Sequence, residues 1–177
     1  MNWLSKLFGG RTMSALTAGT LAPQFELPAT DGSKFSLQEA LRRGPVLAIF
    51  FKISCPVCQY AFPYFERIYK TYDGEKISIV GISQNGREET AQFARHYGVT
   101  FPILLDDTKR FPVSNAYGLT NVPTAFWIAE DGEIEISSVG WVRQDFEELV
   151  QKSASAVGTR PKLLFQASEQ IADFRAG

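Results

Sequence analysis

An unbroken apolar run, Val46–Phe51, is the feature that most restricts the fold of this 177-residue chain. Six consecutive apolar residues are typical of a strand whose two faces are both covered. Such a strand lies inside a sheet that carries a further layer of structure on each side. The run therefore predicts an α/β domain in which helices cover both faces of the sheet.

Patterns on either side of the apolar run extend this prediction to a mixed sheet. Phe25–Leu27 and Lys34–Ser36 flank a turn at Asp31-Gly32, which predicts an N-terminal β-hairpin. Thr124–Ala129 and Ile134–Val139 predict a second hairpin by the same argument. The remaining predicted elements are helix Leu37–Arg42, a helix after the cysteines, strand Lys76–Ile82, helix Arg87–Tyr97, strand Phe101–Leu105, helix Arg110–Tyr117 with an interruption near Pro112, and helix Arg143–Val157.

The order of these elements predicts one domain with a short extension at each end. We expect an N-terminal extension over residues 1–20, the domain over residues 21–157 and a C-terminal extension over residues 158–177. The break Gly158-Thr159-Arg160-Pro161 ends the last helix of the domain. Beyond the break, Phe165–Phe174 is a candidate for one further helix.

Composition excludes several classes of function. Eighteen Lys and Arg against nineteen Asp and Glu leave a net charge of −1, so a basic face for nucleic acid is not expected. We expect no transmembrane segment, because no apolar run reaches about 18 residues. The stretch 13–22 is too weakly apolar for a typical secretory signal. The sequence therefore predicts a cytoplasmic protein.

The chain has only two cysteines, Cys55 and Cys58, and they stand three residues apart. A structural disulfide usually closes a long loop, and this pair closes almost none. A structural zinc site needs four ligands, and the only histidine, His96, would still leave one missing. The spacing therefore favours a redox dithiol without a metal or other cofactor.

The predicted start of a helix at Cys55 assigns different roles to the two thiols. Pro56 suits the first helical position, because its missing N–H would be unpaired there in any case. Cys55 then meets unpaired backbone N–H groups and the positive end of the helix dipole, which favour its thiolate. Cys58 lies one turn further in and is more covered, as expected for a thiol that resolves a mixed disulfide. These positions predict Cys55 and Cys58 as the catalytic residues.

Several motifs together resemble the thioredoxin superfamily. They are Cys55-Pro56-Val57-Cys58, Pro63, Val122-Pro123-Thr124 and Gly140. The segments that resemble the redoxin branch, with its alkyl hydroperoxide reductase/thiol-specific antioxidant (AhpC/TSA) proteins and cytochrome-maturation reductases, are Leu21–Leu27, Asp31-Gly32 and Phe35-Ser36-Leu37. The resemblance implies a thioredoxin-like three-layer sandwich with a mixed central sheet, helices on both faces and an N-terminal β-hairpin.

The resemblance also implies a site. Cys55 would attack and Cys58 would resolve, while Val122–Pro123 would be a cis peptide beside the dithiol. The backbone of Val122 and Pro123 would then bind an incoming substrate chain, since a chain edge can pair with an extended peptide. The implied function is thiol–disulfide oxidoreductase, acting on protein or small-molecule disulfides and recharged by an unidentified reductant.

The sequence departs from the family at positions that handle protons. Ile49 stands where thioredoxins carry a buried Asp, and Ala61 where the cytochrome-maturation reductases often carry a Glu. Ser54 replaces the usual aromatic residue before the first cysteine. Cys58 must therefore lose its proton to water, to Lys52 or to the leaving thiolate.

Two alternative functions remain open at this point. A peroxiredoxin-like thiol peroxidase would need a Thr or Ser where Lys52 stands and a Pro where Ala48 stands. Without those groups little polarises the O–O bond of a peroxide. A copper-binding assembly chaperone would need one more residue between the cysteines, although two thiolates can still hold Cu(I).

Overall fold

The structure, a computed structural model, describes residues 14–74 and 76–177. Its strands are β1 (Glu26–Pro28), β2 (Lys34–Ser36), β3 (Val46–Phe51), β4 (Ser78–Ser83), β5 (Ile103–Leu105), β6 (Thr124–Ile128), β7 (Ile134–Val139), β8 (Trp141–Val142) and β9 (Phe174–Arg175). Its helices are α1 (Leu37–Leu41), α2 (Pro56–Tyr72), α3 (Arg87–Tyr97), α4 (Pro112–Ala116) and α5 (Arg143–Val157). One mixed sheet has the strand order β5-β4-β3-β6-β7.

The central strand β3 is buried on both faces, as its apolar run predicted. It pairs in parallel with β4 and antiparallel with β6. Leu47, Ile49 and Phe51 belong to a core shared with α2, α3 and α5. The alternate residues of the strand pack in a second core with α1, α4 and the β1–β2 hairpin. This arrangement confirms the predicted thioredoxin-like three-layer sandwich with its N-terminal hairpin.

Within residues 21–157, the predicted helices and strands agree with the structure except at their ends, at α4 and at β8, which was not predicted. We expected a helix over Arg110–Tyr117 with an interruption near Pro112, whereas α4 begins at Pro112. The carboxylate of Asp106 accepts hydrogen bonds from the backbone N–H groups of Val113 and Ser114, which lie in the first turn. Proline fits such a first turn because its nitrogen has no hydrogen to leave unpaired.

The described part of the N-terminal extension lies on the domain. Leu16 N–H donates to the Tyr117 carbonyl oxygen at 3.0 Å, and Gly19 N–H donates to the Ile134 carbonyl oxygen at 2.9 Å. Residues 1–13 of the predicted extension lie outside the described residues. Among the described residues, no helix has the length and apolar character that crossing a membrane requires.

The helix expected over Phe165–Phe174 is wrong. The chain leaves α5 at Gly158, in the left-handed conformation (φ 73°), and then follows the surface of the domain without a helix, with one turn at residues 166–169. Side chains of the domain take the hydrogen bonds that a helix would make internally. Ala172 N–H donates to the Tyr60 hydroxyl at 3.2 Å, and the Trp141 indole N–H donates to the Ala172 carbonyl oxygen.

The first part of this extension is anchored to α2. Lys162 N–H donates to the Tyr72 hydroxyl at 2.8 Å, and Leu164 is only 9 % exposed in the core. The Arg67 guanidinium donates two hydrogen bonds to the carboxylate of Glu169, at 2.8 and 2.5 Å. Paired, fork-like contacts of this kind are among the stronger side-chain interactions.

The Arg67–Glu169 pair predicts a pH dependence of stability. Hydrogen bonding from Arg67 lowers the pKa of Glu169 from an ordinary value of 4.5 to about 2. Because the folded pKa lies below the unfolded one, the pair stabilises the fold fully above the ordinary pKa. That contribution is lost as the pH falls from about 4.5 through about 2. Glu169→Gln should therefore lower the melting temperature at pH 6, and the difference from wild type should vanish near pH 2.

The control for this measurement is Glu148→Gln, on the exposed side of α5. It should leave the melting temperature close to that of wild type across the same pH series. A Glu169→Gln difference that stays constant between pH 6 and pH 2 would contradict the assignment, because a lost ion pair has to titrate.

Candidate active site

The two cysteines lie where the central strand passes into the longest helix. Residue Phe51 ends β3, a short loop follows, and α2 begins at Pro56 with Cys55 as its capping residue. Cys55 has extended backbone angles (φ −81°, ψ 117°), the usual geometry of a residue that precedes the first helical turn. Pro56 occupies that turn, as its missing N–H predicted.

The sulfur of Cys55 is held by one donor and one acceptor. It accepts a hydrogen bond from the Cys58 N–H at 3.3 Å, and its thiol donates to the Val122 carbonyl oxygen at 3.1 Å. Residue Cys55 is half-buried, whereas Cys58 is fully buried. The contact from an N–H group at a helix start is of the kind that stabilises a thiolate.

Cys58 lies in a different environment, although only three residues separate it from Cys55. It is fully buried in the apolar core together with Ile49 and Ala61. Burial is the main cause that raises the pKa of its thiol, and the neighbouring Cys55 adds to the effect, against a backbone hydrogen bond at Lys52. The neutral thiol is therefore the stable form of Cys58, because a thiolate there would lose its hydration.

Val122 and Pro123 meet Cys55 because of strand pairing. In the antiparallel pair of β3 and β6, Phe50 lies opposite Thr124, so the end of one strand adjoins the start of the other. The peptide bond between Val122 and Pro123 is cis, as the family resemblance implied. The structure thus brings together all four residues that the sequence singled out.

Two polar residues that the sequence analysis did not identify hold the loop before Cys55. The Asn85 side-chain oxygen accepts from the Ile53 N–H at 3.0 Å, and the Gln59 side-chain amide donates to the Ile53 carbonyl oxygen at 3.0 Å. Asn85 reaches this loop because β3 and β4 are parallel and end at the same edge of the sheet. The sequence did carry one signal for this contact, because Asn85 is a polar residue just after β4, the parallel neighbour of β3.

The positions that depart from the family also lie at the site. Ile49 and Ala61 have no exposed surface, whereas Lys52 is exposed. Within residues 14–74 and 76–177, no cluster of three His, Cys, Asp or Glu side chains is arranged to hold a metal ion.

Comparison with known proteins gives consistent relatives. The sequence profile of the AhpC/TSA family matches residues 18–137. The thiol-disulfide oxidoreductase ResA of Halalkalibacterium halodurans is 33 % identical over 149 residues, which cover 83 % of this chain and 82 % of that protein. ResA of Bacillus subtilis is 31 % identical over 130 residues, which cover 72 % of this chain and 69 % of that protein.

Solved structures show the same fold. A thiol:disulfide interchange protein of the thioredoxin family from Chlorobium tepidum TLS superposes with a TM-score of 0.64 at 26 % identity, covering 79 % of this chain and 98 % of that chain. The thioredoxin domain of a thiol-disulfide oxidoreductase from Bacteroides vulgatus gives a TM-score of 0.69 at 20 % identity, covering 78 % and 98 %.

The contrast between the two cysteines predicts unequal reactivity. Only a thiolate reacts with iodoacetamide, and burial holds Cys58 in its neutral form and out of reach. At pH 7.5, Cys55→Ala protein, which retains Cys58, should be alkylated at least about 100-fold more slowly than Cys58→Ala protein. Intact-mass spectrometry of timed samples measures both rates.

The control is the same pair of variants in guanidinium chloride, where both thiols are exposed and should react at similar rates. Equal rates in the folded proteins would mean that Cys58 is open to solvent, and the assignment of unequal roles would fail.

Proposed function

The chain belongs to the AhpC/TSA family and is a thiol–disulfide oxidoreductase, and we propose that Cys55 and Cys58 are its attacking and resolving cysteines. One observation supports this assignment above the others. Cys55 is half-buried at the start of α2 and its sulfur contacts an N–H group, whereas Cys58 is fully buried in the core. Exchange requires one accessible and one covered thiol at close range.

The reaction begins at Cys55. Its thiolate attacks one sulfur of the substrate disulfide, forming a new S–S bond while the old one breaks and the substrate's other sulfur leaves as a thiolate. The Cys58 N–H, which already contacts the Cys55 sulfur, stabilises the negative charge before attack. The Val122 carbonyl oxygen accepts a hydrogen bond from the Cys55 thiol at 3.1 Å in the resting state, and we place the substrate chain on this side of the sulfur.

Resolution of the mixed disulfide depends on Cys58. Its thiol must lose a proton and attack the sulfur of Cys55, which forms the Cys55–Cys58 disulfide and releases the substrate as a second thiolate. Because Ile49 and Ala61 are apolar, no carboxylate at those positions takes this proton. The leaving thiolate of the substrate or water takes it, so the two protons of the dithiol end on the two sulfurs of the substrate.

The substrate chain binds along the backbone of Val122 and Pro123. The Val122 carbonyl group lies directly beside the attacking sulfur, so a chain aligned there has its disulfide within reach of Cys55. Backbone groups recognise an extended peptide without regard to its sequence, and this suits an enzyme that acts on disulfides of different proteins.

The physiological partners are a disulfide substrate and a reductant that restores the dithiol. The comparisons do not support the cytoplasmic compartment that the sequence predicted, and that compartment stays a prediction. The role of residues 21–157 as the complete redox domain is likewise our proposal, supported by the positions of both cysteines and of Val122–Pro123 within it.

The separate roles of the cysteines predict different trapping behaviour. Cys58→Ala protein keeps the attacking thiol and lacks the resolving one, so mixed disulfides with substrate should accumulate. Cys55→Ala protein should form at least about tenfold fewer, because only the thiolate attacks and Cys58 is a buried, neutral thiol. Non-reducing electrophoresis after incubation with oxidised insulin measures the adducts, and a reducing agent should cleave them.

The double variant Cys55→Ala/Cys58→Ala is the control and should form no adduct. If Cys55→Ala traps as much insulin as Cys58→Ala, the order of attack is reversed and our assignment must be withdrawn.

The peroxidase alternative makes a different prediction. Lys52 and Ala48 stand where a peroxidase would carry a hydroxyl residue and a proline, and Lys52 is exposed. Reduced wild-type protein should therefore reduce insulin while reacting with hydrogen peroxide at least about 100-fold more slowly than a dedicated peroxidase, since little polarises the O–O bond. Stopped-flow fluorescence measures the peroxide reaction, and a peroxidase-like rate would favour the alternative.

A further inference from the structure

The last residues of the C-terminal extension cross the proposed substrate-binding edge. We call residues 172–177 the strap. Within it, β9 pairs antiparallel with β8, with Arg175 opposite Trp141 and Phe174 opposite Val142. Beyond β9 the strap continues towards Val122, so its path leads from the aromatic core to the attacking cysteine.

Backbone contacts place the strap directly on Val122. The Asn121 side-chain amide donates to the Gly177 carbonyl oxygen at 2.9 Å. A β-carbon added to Gly177 would lie 2.6 Å from the Val122 carbonyl oxygen, which is closer than two such atoms can approach. The same oxygen accepts a hydrogen bond from the Cys55 thiol, so the strap covers the carbonyl group that lies beside the attacking sulfur.

Gly140 lies under the strap in the same manner. A β-carbon on Gly140 would lie 2.6 Å from the Arg175 carbonyl oxygen and 2.9 Å from the Gly177 nitrogen. The strap therefore approaches backbone on two neighbouring loops, one before β6 and one before β8. An extended peptide that binds to the edge of a protein's sheet makes its contacts in the same way, through backbone groups.

The strap is held through its backbone, by the β8–β9 pairing and by the Arg143 N–H, which donates to the Asp173 carbonyl oxygen at 2.9 Å, but it buries little side-chain surface. Its residues 173–177 are all exposed, and Phe174 has 63 % of its surface in solvent. Two of its side chains make charged contacts: the Arg175 guanidinium lies 4.0 Å from the centre of the Tyr60 ring, and the exposed Asp173 carboxylate lies 3.8 Å from the Arg143 guanidinium. By contrast, residues 162–169 are fixed by the Arg67–Glu169 pair and by buried Leu164. Segments with little buried surface open most readily.

We propose that the strap is an intramolecular occupant of the surface, formed by Val122 and Gly140, that binds the extended polypeptide of a protein disulfide substrate. The inference rests on the proposed role of Val122 in substrate binding. The strap and the substrate chain compete for the same backbone, so the strap must lift before a protein disulfide reaches Cys55. The anchored residues 162–169 keep the lifted strap close to the site.

The competition separates two classes of substrate. Cys55 stays half-exposed with the strap in place, so a small disulfide reaches its sulfur directly. A protein disulfide needs room for its flanking chain along Val122, and only molecules with a lifted strap accept it. The rate with a protein substrate is then reduced by the fraction of molecules in the lifted state.

Two substitutions that loosen the strap provide the test. Gly177→Ala places a β-carbon against Val122, and Arg175→Ala removes the contact with Tyr60. Arg175→Ala should raise the rate of insulin reduction about two- to fivefold, the factor that corresponds to one exposed cation–π contact. Gly177→Ala should raise the same rate at least about twofold, because its β-carbon cannot remain 2.6 Å from the Val122 carbonyl oxygen. The rate with the small disulfide 5,5′-dithiobis(2-nitrobenzoate) should change less than twofold in both variants.

Matched controls carry the same chemical changes elsewhere. In Gly74→Ala the new β-carbon meets no atom within 4 Å, and Arg160 is an exposed residue of the same extension. Gly74→Ala and Arg160→Ala should reduce both disulfides at the wild-type rate. Thermal melting of all four variants separates an effect on exchange from a loss of folded protein.

The kinetic outcomes distinguish this inference from the proposed function. The wild-type protein could reduce both disulfides while Gly177→Ala and Arg175→Ala reduce insulin no faster, or more slowly. That result overturns the proposed role of the strap and leaves the oxidoreductase function intact. An inactive wild type overturns both. A gain that is equal for insulin and for the small disulfide also overturns the strap, because it would mean that Cys55 itself is uncovered.

Hydrogen exchange gives a second, independent measurement. In the mixed disulfide of Cys58→Ala protein with a cysteine-containing insulin B-chain peptide, amides of residues 172–177 should exchange faster than in the free protein. The mixed disulfide with 2-mercaptoethanol should leave their exchange unchanged. Equal exchange in the peptide adduct and in the free protein would show that the strap stays in place, which overturns the proposal.

Discussion

The pairing of the buried strand β3 with its two neighbours is the interaction on which the site depends. The antiparallel register with β6 sets Phe50 opposite Thr124, and this brings the Val122 carbonyl oxygen to the Cys55 sulfur. The parallel register with β4 brings Asn85 to the loop that precedes the cysteine. A shift of one residue in either register would move the side chains of β3 from one core into the other, so the packing of the two cores fixes the register and with it the site geometry.

The chemistry rests on a difference in environment between two identical side chains. Cys55 caps α2, where N–H groups without helical partners favour a thiolate, and the residue is only half-buried. Cys58 lies a turn further on, in the core next to Ile49 and Ala61, and burial raises the pKa of its thiol. The position of each cysteine in α2 therefore decides which one attacks and which one resolves. Neither Ile49 nor Ala61 contributes a titratable side chain to this difference.

An aromatic cluster connects the helix of the dithiol to the C-terminal extension. The ring of Trp141 is buried against Tyr60, Tyr64 and Phe165, and its indole N–H holds the backbone of the extension at Ala172. Firm anchoring before this point and exposed residues after it give the extension two parts with different stability. The weakly held part is the one that lies against the proposed substrate edge.

Much of the architecture could be read from local pattern, because burial periodicity and helix-start chemistry depend on residues close together in sequence. The apolar run predicted β3, and the spacing of Cys55 and Cys58 at a helix start predicted the dithiol and its unequal roles. Recognition of Val122–Pro123 needed the family resemblance, since nothing within the local sequence connects residue 122 with residue 55.

Contacts between distant segments were decided only by the tertiary structure. A helix was expected over Phe165–Phe174, but the backbone of Ala172 within it binds Tyr60 and Trp141, both more than 30 residues away in the sequence. Asn85 at the loop and Gly177 on Val122 also depend on which edges the sheet brings together. The sequence by itself determined the layers and the reactive pair, because those follow from local burial and local hydrogen bonding. The tertiary structure alone decided what covers the reactive pair, because a short, exposed segment takes its conformation from the surface on which it lies.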